Sequence, residues 1–127
     1  MSSLGEFDYV IVGAGSSGAV LANRLSADPA LRICLIEAGP RDHSPFIKIP
    51  LGVMKLTKDA RHNWLYTSAP QAGLDGRQIS IPRGKVLGGS SAINGMIYIR
   101  SQPEDYDHWS QLGNRGWGSE DVFPFFR

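Results

Sequence analysis

The chain has 127 residues, a length that suffices for one domain and is short for a cofactor-binding domain plus a substrate domain. Its 42% hydrophobic and 20% charged residues are ordinary for a globular protein and argue against a disordered chain. The formal net charge is +1 and Lys and Arg are scattered, which gives no positive field for binding nucleic acid. No apolar stretch is long enough to span a bilayer and no secretory signal is visible, so we expect a cytoplasmic location.

The N-terminal part of the chain has the pattern of a βαβ unit. Residues 7–12 are aromatic and β-branched, which predicts a strand buried on both faces, as in a parallel sheet. Residues 16–27 carry apolar side chains at three-to-four spacing, which predicts a helix that Pro29 ends. Residues 32–36 predict a second strand, in which the single cysteine, Cys34, is expected to fill core space. Two strands and a helix within about thirty residues have the size of one βαβ unit.

The rest of the chain alternates short elements with loops. The sequence predicts a helical turn at residues 53–58, strands at 64–67 and 78–81 around a turn at 74–77, a helix at 103–111, and a last helix capped by Ser119. The histidines lie in loop-like or amphipathic surroundings and are predicted to be surface residues: His43, His62 and His108. The sequence predicts no metal site.

A GxGxxG motif directly follows the first predicted strand and directly precedes the helix. Gly13 permits a tight turn, Gly15 lets a diphosphate approach the backbone, and Gly18 lets the helix pack on the strand. The unpaired N–H groups at the start of the helix then face the anion. Because the motif stands in this context, it predicts a dinucleotide-binding loop.

Glu37 ends the second predicted strand and completes this pattern. An acid at this place accepts hydrogen bonds from the adenosine ribose hydroxyls, and its charge would repel a 2′-phosphate, which disfavours NADP. An alternative interpretation is that the glycines serve only turn chemistry and that Glu37 is a surface acid. The first loop and Glu37 predict a dinucleotide without separating FAD from NAD.

A second glycine-rich loop lies at residues 84–97. Gly88 and Gly89 remove two side chains where a backbone can approach a ligand, and Asn94 and Gly95 add an amide and an exposed N–H group. A glycine hinge between secondary elements is the alternative interpretation. Two such loops in one short chain favour a long, phosphate-containing cofactor held at two places, which points to a dinucleotide.

The string at residues 84–98, GKVLGGSSAINGMIY, resembles the first signature of the glucose–methanol–choline (GMC) oxidoreductases. The resemblance implies a partial Rossmann-like α/β fold, with residues 1–127 as the N-terminal part of an FAD-binding domain. It implies an FAD-dependent oxidoreductase that acts on CH–OH groups of alcohols, choline-type, by hydride transfer to the flavin. The cofactor-binding residues that the motifs and the resemblance together indicate are Gly13, Gly15, Ser16, Ser17, Gly18, Glu37, Ala38, Val86, Gly88, Gly89, Asn94, Gly95, Met96 and Ile97.

The same resemblance implies what this sequence does not contain. Members of the family are several times longer, and their catalytic histidine lies near the C-terminus, so no catalytic residue is assigned here. Ile93 stands where some members carry a histidine joined to the flavin, so non-covalent binding is expected. We expect a fragment without its substrate domain, in which the first strand and the final phenylalanines are uncovered.

Several points stay open at this stage. An NAD-binding module and a non-catalytic truncated remnant are the alternative functions. The substrate is expected to be a small-molecule alcohol, but the sequence does not identify it, and it does not specify the electron acceptor or the oligomeric state.

Overall fold

The computed structural model describes residues 5–126. Residues 1–4 and 127, which belong to the predicted domain 1–127, lie outside the described residues. The structure divides into two compact units, Met1–Met96 and Ile97–Arg127. The prediction that the whole chain is one part of an FAD-binding domain is not decided by this division and stays a prediction.

The first unit begins with a βαβ arrangement. Its elements are β1 (Tyr9–Val12), α1 (Ser16–Leu25) and β2 (Ile33–Ile36). The two strands are parallel, with Tyr9 opposite Ile33 and Val12 opposite Ile36. The Asp8 carboxylate accepts a hydrogen bond from the backbone N–H of Arg32 at 2.7 Å, which fixes the start of the pairing. The predicted βαβ unit is confirmed.

The parallel sheet of β1 and β2 has only these two strands among the described residues. Within residues 5–126, β1 pairs only with β2. Val10 and Val12 are therefore 55% and 82% exposed, because no further strand or layer of this structure covers them. The prediction of a strand buried on both faces is wrong for the described residues, and the expectation that apolar strand faces are left uncovered is confirmed.

The buried apolar core of the first unit includes two residues of the second glycine-rich loop. Leu56, Val86 and Ile93 form the cluster, and Phe46 and Ile47 pack against it. Leu56 ends the short helix α2 (Val53–Leu56), which confirms the predicted helical turn. Cys34 is half-buried in β2 and outside this cluster, so its predicted place in the core is only partly met.

A small hairpin occupies the region between α2 and the second loop. Its strands, β3 (Tyr66–Thr67) and β4 (Ser80–Ile81), are antiparallel and shorter than predicted. Asp75 and Gly76 both have positive φ, at 52° and 75°, at the predicted turn. The two predicted strands and the turn between them are confirmed, and each strand is two residues shorter than predicted. Leu65, with a φ of +55°, interrupts the extended backbone directly before β3.

The second unit contains α3 (Pro103–Gln111) and α4 (Ser119–Val122). The helix α3 is confirmed at its predicted bounds, and Tyr106 on it makes edge contacts with the rings of Trp109, Phe123 and Phe126. The prediction that Ser119 caps the last helix is wrong. Gly118 is the cap residue, and the N–H of Ser119 instead donates to the Asp107 carboxylate at 2.9 Å. Over residues 5–126, no helix has the length and apolar character that a membrane span requires.

Candidate functional site

The two glycine-rich loops meet in one cleft of the first unit. The cleft has a volume of about 620 Å³. The N–H of Gly88 donates to the carbonyl oxygen of Ala14 at 2.8 Å, so the loops are joined backbone to backbone. The residues that line the cleft come from both loops and from the chain next to them: Val12, Gly13, Gly15, Ser16, Ser17, Gly18, Ile36, Glu37, Ala38, Trp64, Arg83, Gly84, Gly89 and Ser90. The cleft therefore has one wall from the βαβ unit and one from the second loop.

Two glycines make these walls possible. A Cβ at Gly18 would overlap the carbonyl oxygen of Gly13, which explains why the first turn of α1 can pack on the loop. Gly89 has a φ of +59°, and a Cβ there would lie 2.8 Å from the Cα of Gly15. Real Cβ atoms do not approach other atoms so closely. The contact between the two loops thus requires glycine at position 89.

Glu37 is held at the carboxyl end of β2 by both of its oxygens. Oε2 accepts a hydrogen bond from the N–H of Ala14 at 2.8 Å, and Oε1 accepts one from the N–H of Gly39 at 2.9 Å. The half-buried carboxylate therefore has a fixed position on the cleft wall. Because each carboxylate oxygen has two lone pairs, acceptor capacity remains for hydroxyl groups of a ligand.

The start of the second loop is held by a buried amide. Asn63 is 1% exposed, and its Oδ1 accepts hydrogen bonds from the N–H groups of Arg83 at 2.8 Å and Leu65 at 3.1 Å. Its Nδ2 donates to the carbonyl oxygen of Thr57 at 2.7 Å. The carbonyl oxygen of Arg83 in turn accepts from the N–H of Trp64 at 2.9 Å. The whole backbone of Arg83 is thus fixed at the edge of the cleft.

His62 also supports this loop and corrects a prediction. It is 6% exposed rather than at the surface, and its Nδ1 lies 2.6 Å from Oδ2 of Asp59. Its carbonyl oxygen accepts the N–H of Lys85 at 2.8 Å. The hydrogen bond from the Arg61 N–H, and then the one with His62, lower the pKa of Asp59 below its ordinary value. The satisfied pair with Asp59 is what permits a histidine inside the fold, whereas His43 and His108 are exposed as predicted.

The structure brings most of the predicted binding residues together and separates others. Those lining the cleft are Gly13, Gly15, Ser16, Ser17, Gly18, Glu37, Ala38 and Gly89. Gly88 adjoins the cleft through its hydrogen bond to Ala14, and Val86 is fully buried in the core cluster. Asn94 and Met96 line a separate small pocket of about 40 Å³. Gly95 is exposed, and Ile97 begins the second unit. The roles of all these residues in binding stay predictions.

Sequence reasoning missed several residues of the cleft. They are Val12, Ile36, Trp64, Arg83, Gly84 and Ser90. Val12 and Ile36 could have been found, because they end the two strands that flank the GxGxxG motif. Gly84 and Ser90 lie within the second loop, and Arg83 directly precedes it. Trp64 carries no local signal, because its place depends on the hydrogen bond from its N–H to the carbonyl oxygen of Arg83, in a distant part of the chain.

The βαβ unit with a glycine-rich turn, and a cleft at the carboxyl ends of its parallel strands, define a Rossmann-like fold of the dinucleotide-binding class. The chain belongs to the GMC oxidoreductase family, because the family model with that description matches residues 7–127. This match extends over both compact units.

Individual relatives agree with the family assignment. An alcohol dehydrogenase (acceptor) of Pseudomonas putida is 54% identical over 121 residues, which cover 95% of this chain and 22% of that protein. An oxygen-dependent choline dehydrogenase of Sinorhizobium fredii is 48% identical over 122 residues, which cover 96% of this chain and 22% of that protein. The chain thus spans about a fifth of the length of these relatives.

Solved structures show the same fold. Pyridoxine 4-oxidase from Mesorbium loti matches with a TM-score of 0.87 and 41% identity, over 95% of this chain and 24% of that one. An FAD-dependent oxidoreductase from Chaetomium thermophilum matches with a TM-score of 0.79 and 37% identity, over 95% of this chain and 20% of that one.

Proposed function

We propose that the cleft binds FAD and that the protein is an FAD-dependent oxidoreductase acting on CH–OH groups of small alcohols. The observation that carries this proposal is the meeting of the two glycine-rich loops in one cleft, with Gly88 bonded to Ala14. A single dinucleotide loop would fit NAD equally well. A second loop that joins the first wall adds a surface for a second, larger end of a cofactor, and the names of the relatives support a flavin and an alcohol.

The dimensions and groups of the cleft fit FAD. Its volume of about 620 Å³ lies within the usual range of small-molecule sites, roughly 300–1,000 Å³. In this proposal the adenosine ribose lies against Glu37, and the diphosphate lies at the start of α1, where the first N–H groups have no partner within the helix. The flavin then lies toward the second loop, where Gly89 leaves the backbone accessible.

The chemistry divides between the cofactor and the chain. FAD would supply a hydride acceptor, which no amino-acid side chain provides. The residues of this chain bind and orient the cofactor, and we assign none of them a role in proton transfer. The choline-type substrate and the assignment of residues 1–127 to the N-terminal part of an FAD-binding domain belong to the same proposal. So does a cytoplasmic location.

We also propose that binding is non-covalent. The side chain of Ile93 is apolar, 4% exposed and packed in the core cluster with Leu56 and Val86. It offers neither a nucleophile nor access to a flavin ring. Trichloroacetic acid precipitation should therefore release all of the flavin into the supernatant, whereas yellow colour retained in the precipitate would contradict this part of the proposal.

A ligand titration of the purified protein tests the main proposal. We expect FAD to bind with quenching of its fluorescence, ADP to compete with it, and NAD to bind more weakly. The Glu37→Gln variant should bind FAD more weakly, while the matched variant Glu120→Gln, in the exposed first turn of α4, should bind it as the unchanged protein does. Tighter binding of NAD than of FAD would support an NAD-binding module, and no binding of any of the three would support a non-catalytic remnant.

A further inference from the structure

Few charged side chains line the cleft, and they differ in sign and in the hydrogen bonds that they already make. Within the described residues, Arg83 is the one cationic side chain among those that line the cleft, and Glu37 is the one anionic side chain. The Glu37 carboxylate already accepts hydrogen bonds from Ala14 and Gly39. A diphosphate in the cleft would bring two negative charges, and backbone N–H groups carry only partial positive charge. Arg83 is therefore the cleft-lining side chain that can add a full positive charge to these partial charges.

Arg83 is anchored by its backbone and not by its side chain. Its N–H donates to Oδ1 of Asn63, and its carbonyl oxygen accepts from Trp64. The guanidinium makes one long contact, 3.5 Å from Nη1 to Oγ of Ser90, and no ion pair among residues 5–126. The neighbouring cation differs, because Nζ of Lys85 lies 4.9 Å above the centre of the Trp64 ring. Of the two, Arg83 is the cation whose head group is available to a ligand.

The position of Arg83 relative to the first loop follows from a chain of contacts. The guanidinium lies beside Ser90, Ser90 directly follows Gly89, and Gly89 lies against the backbone of Gly15. Gly15 is the residue of the GxGxxG motif at which a diphosphate approaches the backbone. Arg83 and the first loop thus both line the cleft, Arg83 at the start of the wall that the second loop forms and Gly15 on the wall that the βαβ unit forms.

We propose that Arg83 is a cofactor-binding residue whose guanidinium pairs with the diphosphate from the wall opposite the GxGxxG loop. This inference rests on the proposed function, because it assumes that a dinucleotide occupies the cleft. The planar guanidinium suits two parallel hydrogen bonds to phosphate oxygens.

The experiment compares ligands with and without phosphate in matched variants. FAD is titrated by fluorescence quenching, and ADP and adenosine are measured by competition, with the unchanged protein, Arg83→Gln and Arg24→Gln. Arg24 is an exposed cation on α1 of the same unit and does not line the cleft. Arg83→Lys is added because it keeps the charge and loses the planar fork. Near-ultraviolet circular dichroism of each variant shows whether the fold is kept.

We expect Arg83→Gln to weaken FAD and ADP by about 10- to 100-fold, since a charge-assisted hydrogen-bonded pair is lost. Adenosine should bind the unchanged protein and Arg83→Gln with equal affinity, and Arg24→Gln should bind all three ligands as the unchanged protein does. The affinity of Arg83→Lys for FAD and ADP should lie between those of the unchanged protein and Arg83→Gln. Added salt should weaken ADP binding less in Arg83→Gln than in the unchanged protein. Equal affinity of Arg83→Gln for ADP, or an equal loss for adenosine, would overturn the inference while the FAD proposal stands. Failure of the unchanged protein to bind FAD or ADP would overturn both.

Discussion

Replacing Gly89 by alanine tests the contact that unites the two walls of the cleft. The substitution adds one methyl group at a residue with a φ of +59°, and that group would lie 2.8 Å from the Cα of Gly15. Both the backbone conformation and the space oppose it. We expect Gly89→Ala to lower the free energy of unfolding and to weaken ligand binding, because the loops must separate.

The expected magnitude has two parts. A non-glycine residue in the left-handed region costs about 1–2 kcal/mol. Forcing an extra carbon into a closely packed contact costs roughly 1–3 kcal/mol more. Together these give about 2–5 kcal/mol, which is large compared with the net stability of a small domain, about 5–15 kcal/mol.

Urea unfolding monitored by circular dichroism measures this loss, and two further glycines separate its parts. Gly88 has a φ of +96°, but its added Cβ would meet only ordinary contacts, the nearest at 3.4 Å to Cβ of Ala92. Gly88→Ala should therefore show the conformational cost alone. A Cβ added at Gly73 would have no atom within 4 Å beyond its chain neighbours, and φ there is not positive, so Gly73→Ala should not lower the free energy of unfolding. A Gly89→Ala protein as stable as Gly73→Ala would refute the reasoning.

Three further predictions concern the groups that support the cleft. In Glu37→Gln, an amide N–H₂ must face the N–H of Ala14 or Gly39, so we expect a loss of about 1.5–3 kcal/mol in urea unfolding, with Glu120→Gln unchanged. Asn63→Ala leaves the N–H groups of Arg83 and Leu65 without their acceptor and should cost about 2–4 kcal/mol by the same assay, whereas the exposed Asn23→Ala should cost under about 0.5 kcal/mol. Because the pKa of Asp59 is lowered in the folded state, its stabilising contribution is present above the ordinary value of 3.8 and is lost as pH falls through the lower folded value. When the free energy of unfolding is measured as the pH is lowered below 3.8, Asp59→Asn should therefore lose less stability than the unchanged protein. The same acid dependence in Asp59→Asn and the unchanged protein would contradict this assignment.

The sequence was informative where structure is local. The βαβ unit follows from two short apolar runs, a helical periodicity and a glycine motif at their junction, all within neighbouring residues. The place of Glu37 follows in the same way, because the end of β2 must lie beside the end of β1 in a parallel pair. The helix α3 was likewise predictable, since Pro103 begins it and Glu104 and Asp105 suit its first turn.

What the sequence did not reveal depends on contacts between distant residues. Arg83 and Trp64 enter the cleft because the side chain of Asn63 orders the backbone around them, and nothing in the local pattern marks Asn63 as buried. His62 was misplaced for the same reason, since the N–H of Lys85, from a distant part of the chain, donates to its carbonyl oxygen. The ring is then satisfied locally, by Asp59 three residues earlier. The cap of α4 was assigned one residue late because Asp107, on another helix, takes the N–H of Ser119.

The meeting of Gly15 and Gly89 has a kinetic consequence, because most of the polypeptide lies between them. The first wall can form as soon as its neighbouring residues are ordered, but the second arrives only after that long intervening loop has closed. A ligand that both walls bind cannot be held by a partly folded chain in which only the first wall has formed. Its uptake during refolding would consequently mark the last stage of assembly and lag behind the appearance of helical ellipticity.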